Sequence, residues 1–242
     1  MKFALINKQK SEAIKDFKGF CPCYDAELIA KSGEVRAPYW SHKGGHHCGP
    51  WWENKSEWHR SWKNLFPVAW QEIILHDKNG EKHIADVKTP DEWVIEFQHS
   101  FLKPEERRAR TAFYGKLIWV VDGTRRKNDI PQFLKTLNMV RPFGGEANIR
   151  RVPSTECRLL QEWEDCHTPV FFDFGGSPGN PIWWLLDGPS KGVVYVAPFP
   201  RVELIHIHRV GEQQNIQLFD QFVSDIGKLC TDNEILLRRV RR

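Results

Sequence analysis

No apolar run in the 242 residues approaches the roughly 20 needed to cross a bilayer as a helix. The opening Met1-Lys2-Phe3-Ala4-Leu5-Ile6-Asn7 holds an apolar stretch too short for a signal peptide, so a cytoplasmic protein without a membrane partner is expected. Internal repeats are lacking, which argues against a solenoid or propeller. Low-complexity tracts are lacking too, which argues against a linker-like chain. The excess of one charge is small, +4 with pI near 8.7, so charge alone does not single out a nucleic-acid binder.

Tryptophan is what the chain has in quantity, with eleven residues, alongside six cysteines. Large rings bury much area, so most of the tryptophans are expected in cores, with a minority able to stack on bases. Cysteines in a cytoplasmic protein point to a metal site or to buried thiols rather than disulfides. The basic clusters Arg125-Arg126-Lys127, Arg150-Arg151 and Arg238-Arg239-Val240-Arg241-Arg242 would suit a polyanion. Each taken singly reads as solvated surface or a frayed end.

Three regions differ in texture: a Cys/His-rich β segment over 1–55, a core over 56–150, and a β-rich stretch with a terminal helix over 151–242. The core is the most informative. Ser56 can cap a helix carrying Trp58, Trp62, Leu65 and Phe66 at helical spacing, and Pro67 stops it. A strand is expected over Val68 to Leu75. Asn79-Gly80 suits a tight hairpin turn into a second strand, Lys82 to Val87. Thr89-Pro90-Asp91-Glu92 turns the chain into a third strand, Trp93 to Gln98. Pro104, then Glu105 and Glu106, open a helix that Gly115 can close. Leu117 to Val121 is a buried strand. The order is αβββαβ, an α/β (α+β) fold.

Strand alternation puts Val94, Glu96 and Gln98 on one face of the third strand. A carboxylate in so apolar a strand is costly unless something compensates it. Asp86, just before the preceding turn, can sit beside Glu96, and two adjacent carboxylates invite a proton or a cation. Mg²⁺ or Mn²⁺, which take oxygen ligands, meet that demand. An open sheet would instead leave Glu96 and Gln98 on a wet face, but the following helix and apolar strand favour a covered one.

Asp86, a turn and Ile95-Glu96-Phe97-Gln98 within αβββαβ resemble the PD-(D/E)xK nuclease superfamily. The runs Ser56-Glu57-Trp58-His59-Arg60, Ile84-Ala85-Asp86-Val87, Val94 to Ser100, Glu106-Arg107-Arg108, Tyr114 and Ile118-Trp119-Val120 narrow this. Over residues 20 to 122 the chain is similar to the competence protein CoiA-like nuclease family. The resemblance implies a restriction-endonuclease-like core and metal-dependent hydrolysis of DNA, in DNA processing or defence, with a homodimer as one arrangement. Asp86 and Glu96 match its metal-binding carboxylates, with the Ile95 and Phe97 carbonyls beside them. Glu57 matches an acidic residue that can hold a water or a second ion, and His59 a residue that can contact phosphate. The superfamily has Lys where this chain has Gln98, which can orient water but adds no positive charge; the narrower family commonly reads Glu-x-Gln. Lys63, Lys88 and Lys116 are candidates to supply the charge. Arg110 and Tyr114, one turn apart, are candidate phosphate contacts, or else a salt-bridged surface and a core edge. A catalytically weak DNA-binding module that keeps the fold is the alternative function.

Cys21, Cys23 and Cys48, with His42 or His47, can supply four tetrahedral ligands for a structural Zn²⁺ in a zinc-knuckle-like segment. A reduced, metal-free β-hairpin is the other reading, because one residue between Cys21 and Cys23 is tight for chelation. Cys157, Cys166 and Cys230 are expected to be buried thiols. Beyond the core, 170–172, 182–186 and 193–196 read as strands. His206 and His208 alternate with Ile205 and Ile207 as on a strand face, and Phe219, Phe222, Val223, Ile226 and Leu229 make a helical stripe.

Overall fold

The computed structural model describes residues 1–33, 38–44, 56–78, 80–177, 179–209 and 213–240. The chain is mixed α/β and divides into two compact units, Met1–Lys88 and Thr89–Arg242, with the boundary inside the 56–150 stretch.

In the first unit, strands β1 (Phe3–Ile6), β2 (Gln9–Glu12), β3 (Lys18–Phe20), β4 (Glu27–Lys31) and β5 (Tyr39–His42) form an antiparallel sheet in the order β2-β1-β3-β4-β5. Asn7 and Lys8, both at positive φ (51° and 64°), make the two-residue turn between β1 and β2 that such tight hairpins demand. Gly19 is required for packing: a Cβ there would stand 2.7 Å from the Ala4 Cβ and 3.3 Å from the Trp40 ring. Ala4, Cys21, Leu28 and Trp40 form the apolar centre of this sheet. Helix α1 (Glu57–Asn64) follows, its first turn capped by Ser56, whose hydroxyl accepts from the His59 N–H at 3.3 Å. After Pro67 a single 3₁₀ turn, Val68–Trp70, delays the expected strand, so β6 runs Gln71–His76. It pairs antiparallel with β7 (Lys82–Lys88), as the Asn79-Gly80 signal requires; Gly80 has φ +82°, and Asn79 lies outside the described residues.

The second unit opens with β8 (Val94–Gln98), buried along its whole length. Helix α2 (Pro104–Tyr114) begins on Pro104 and ends at Gly115, φ +71°, as its sequence signals predict. Then come β9 (Leu117–Asp122), α3 (Asp129–Asn138), β10 (Arg150–Pro153), α4 (Arg158–Trp163), β11 (Val170–Asp173), β12 (Ile182–Ser190), β13 (Val193–Phe199), α5 (Arg201–Arg209) and α6 (Gln213–Val240). The strands of this unit lie in the order β10-β13-β12-β11-β9-β8. The β8, β9 and β11 strands are parallel and the rest antiparallel. Continuous apolar runs are what a parallel sheet buried on both faces needs, and Leu117 to Val121 are each at most 1% exposed.

One expectation fails here. His206 and His208 lie on helix α5, not on a strand. Pro200 precedes the helix, and Leu204 and His208, four apart, are both buried, so the 3.6-residue period overrides the His-Ile alternation. On α6, Ile226 and Cys230 are buried, and Phe222 stacks on Trp184 with ring centroids 5.9 Å apart. Cys157, Cys166 and Cys230 are free, buried thiols; burial and the Glu234 carboxylate push Cys230 up to about 12. Among the described residues no helix is long and apolar enough to cross a membrane.

Candidate active site

In the first unit the site grows from one face of α1. His59 and Lys63 are four apart, so they share a helix face, and both are completely buried. The His59 Nε2 lies 2.6 Å from Asp86 Oδ2 on β7. The Lys63 Nζ donates to Glu72 Oε1 on β6 at 2.6 Å and stands 3.7 Å from Asp86 Oδ1. Register explains the convergence: Gln71 pairs with Val87 and Ile73 with Ala85, so Glu72 and Asp86 stand opposite each other. Glu57, two residues from His59, is exposed on another face of the helix.

Glu72 is the anchor of this cluster. Its φ of +48° is rare for a residue with a side chain, and such strain persists only where the surroundings over-determine it. Here they do. The carboxylate accepts from Lys63 and from the backbone N–H groups of Lys2 (3.0 Å) and Phe3 (3.1 Å) at the start of β1. Burial would push its pKa up, but the Lys63 ammonium and these hydrogen bonds overcome that and hold it at about 2. Next to it, the Lys2 Nζ donates to Gln71 Oε1 at 2.9 Å and to Asn64, and Gln71 Nε2 donates to the Phe66 carbonyl at 2.7 Å.

In the second unit Glu96, 4% exposed, lies in the middle of β8. Arg110 on α2 donates from NH1 to Glu96 Oε2 at 3.2 Å and from Nε to Glu106 Oε1 at 3.2 Å. Its guanidinium also lies 5.9 Å from the centroid of the Trp119 ring. Arg110 is therefore committed to two carboxylates and buried, rather than displayed on a helix surface. Gln98, 1% exposed, uses its amide to donate to the Ser100 carbonyl (3.0 Å) and hydroxyl (3.2 Å). Tyr114 is half-buried and packs edge-on against Phe113. Where β8 and β9 end side by side, His99 Nδ1 meets Asp122 Oδ2 at 2.7 Å. The other oxygen of Asp122 accepts from the Thr124 N–H and hydroxyl, at 2.7 and 2.6 Å.

The structure thus brings His59 to Asp86, and Arg110 to Glu96, each within its own unit. Two of the three basic clusters are used internally. Arg125 and Arg126 bind Glu162, with Arg126 also on Asp129; Arg150 donates to the Leu137 and Val140 carbonyls, and Arg151 to Glu234. Of the zinc candidates, Cys21 is buried, and Cys23 and His42 are half-buried. The Cys23 N–H donates to Cys21 Sγ at 3.4 Å, and Cys21 packs in the apolar centre of its sheet. Cys48 and His47 lie outside the described residues.

Asp86 in the first unit and Glu96 in the second are each a carboxylate fixed by neighbouring groups of its own unit, in a position where an unneeded carboxylate would be costly. Among the described residues, no group of three or more His, Cys, Asp and Glu converges as a metal cluster. Sequence patterns passed over Glu72, Lys2 and Asp122. The partners that give Glu72 and Lys2 meaning lie far along the chain, 70 residues in the case of the Lys2–Glu72 bond. Lys63 carried a local signal, its i+4 spacing from His59. Compared with known proteins, the chain matches no family model, no curated protein and no solved structure.

Proposed function

We propose that this protein is a metal-dependent deoxyribonuclease of the PD-(D/E)xK type, similar to the CoiA-like family, with Asp86 and Glu96 as carboxylate ligands for Mg²⁺ or Mn²⁺. The observation that carries the reading is burial. Asp86, His59, Glu96 and Gln98, all residues of the resemblance, and the candidate phosphate contact Arg110 are each at most 4% exposed. Burying so many charged and polar groups stabilises a fold poorly, since well-packed apolar residues do the same work at lower desolvation cost. Their retention together with fixed partners is what a reaction centre needs.

A bound divalent cation supplies polarisation of a phosphoryl oxygen and a lowered pKa for an attacking water. The chain's own residues do the rest. His59 orients the Asp86 carboxylate, and Arg110 does the same for Glu96. Gln98, whose Nε2 donates to Ser100, would orient water through its amide oxygen and adds no positive charge. The zinc-knuckle-like use of Cys21, Cys23, Cys48 and His42 or His47 belongs to the same proposal, as a structural site apart from the chemistry.

The alternative, a DNA-binding module with weak or no catalysis, has one specific observation in its favour: the amide N–H groups of Gln98 are engaged by Ser100. Cleavage of linear and circular DNA with Mg²⁺, Mn²⁺ or EDTA separates the two. Metal-dependent cleavage lost in Asp86→Asn and in Glu96→Gln is the expected result. Folded wild type that binds DNA and cleaves in no condition would give the alternative its place.

A further inference from the structure

Lysine is almost never fully buried without a partner, because removing an ammonium from water costs several kcal/mol. Lys63 is completely buried, and its environment is specific: Glu72 at 2.6 Å and Asp86 at 3.7 Å. The other lysines near the motif differ. Lys88 is only half-buried, and Lys116 is exposed with its ammonium 3.5 Å from the Asp91 carbonyl. Glu72, the anchor, has a left-handed backbone, and its carboxylate accepts from the N–H groups of Lys2 and Phe3. A strained residue, a buried ion pair and a second carboxylate directly opposite on the paired strand are an expensive way to stabilise a hairpin. Backbone strain of this kind gathers where a geometry is needed for function.

We infer that Lys63, anchored by Glu72, is the positioning residue that places beside Asp86 the fixed positive charge which the superfamily motif would carry at the position of Gln98. This assignment rests on the nuclease reading of Asp86. In it, α1 contributes a cation as well as a histidine to the same carboxylate. Glu72 keeps Lys63 from collapsing fully onto Asp86, so that Asp86 can share its charge with a divalent ion.

The test uses the full chain and the pair of changes Lys63→Met with Glu72→Gln, which removes both charges of the ion pair together and keeps one acceptor oxygen for the backbone N–H groups of Lys2 and Phe3. Replacing a buried ion pair by neutral groups of similar size is often neutral or stabilising, so melting temperature and far-UV circular dichroism should be retained. Single-turnover cleavage should fall by about 100-fold or more, the scale of losing one electrostatic contact to a reacting centre. Mn²⁺ affinity, read by calorimetry, should stay the same or tighten, because a repelling cation has gone from beside Asp86. A purely structural Lys63 would move stability, cleavage and metal binding in the same direction. Lys63→Arg, which keeps the charge, should retain much more of the rate than the double variant.

The outcomes separate. Wild type with neither Mn²⁺ binding nor cleavage overturns the nuclease reading and this assignment with it. An active wild type whose folded double variant cleaves at the same rate overturns the role of Lys63 alone. A double variant that unfolds, joined by an Lys63→Arg variant that folds but cleaves no better than an Asp86→Asn chain, also overturns it, since charge would not then be the property used.

Discussion

At the scale of single residues, Glu72 shows how much of this protein rests on one carboxylate. Its pKa in the fold lies near 2, against an ordinary 4.5. A depressed carboxyl contributes stability that is complete above the unfolded value and disappears as pH falls through the folded one. The contribution should therefore be present above about pH 4.5 and lost between about pH 4.5 and 2. Urea-unfolding midpoints measured across that range should fall steeply for wild type. For Glu72→Gln they should start lower at neutral pH, because Lys63 loses its partner, and vary less over the acid interval. Equal slopes in the two proteins would mean that another group carries the acid sensitivity.

At the scale of elements, some segments carry their structure in local sequence and others do not. α2 was readable at both ends, because Pro104 and Gly115 each have a conformational reason to be there. The β6–β7 hairpin followed from Asn79-Gly80, and β8 and β9 from their apolar runs. Asp86 and Glu96 stood out because a carboxylate in an apolar strand needs a reason. α5 was misread because His-Ile-His-Ile satisfies a two-residue period over four positions, too short a window against the helical spacing of Leu204 and His208. The network around Glu72 was illegible for a different cause: its members meet only through tertiary contacts, and no local pattern encodes them. His208 carries its own consequence. It is buried edge-on against Trp93, and burial lowers its pKa to about 4, from 6.5. The unfolded chain gains a proton as pH falls below 6.5 while the folded one does not, so stability should drop between pH 6.5 and about 4 and level off below. His208→Gln should flatten that interval by on the order of 2–3 kcal/mol, as read from denaturation free energies at pH 7 and pH 4.5.

At the scale of the whole molecule, the distribution of charge sets what the proposed DNA partner would meet. A net charge of +4 already suggests modest steering, and the internal use of Arg125, Arg126, Arg150 and Arg151 reduces the basic surface further. Each phosphate contact contributes about 0.9 to the slope of log affinity against log salt for duplex DNA. Arg126→Gln and Arg151→Gln should therefore leave that slope and the affinity nearly unchanged while lowering the melting temperature, because Glu162 and Glu234 lose partners. A slope that falls by about one per substitution would instead place these arginines on the phosphate backbone.

The packing around Trp119 has an optical consequence. Its indole is completely buried, its Nε1 has no hydrogen-bond partner among the described residues, and it lies edge-on to Trp163 with centroids 5.4 Å apart. Two indoles that close couple their excited states, and an indole shielded from water emits toward the blue. The guanidinium over the same ring is that of Arg110, which holds Glu96. A change in what Glu96 binds should therefore reach a chromophore pair through one side chain, and near-ultraviolet circular dichroism of the unlabelled protein, recorded with and without Mn²⁺, should report it.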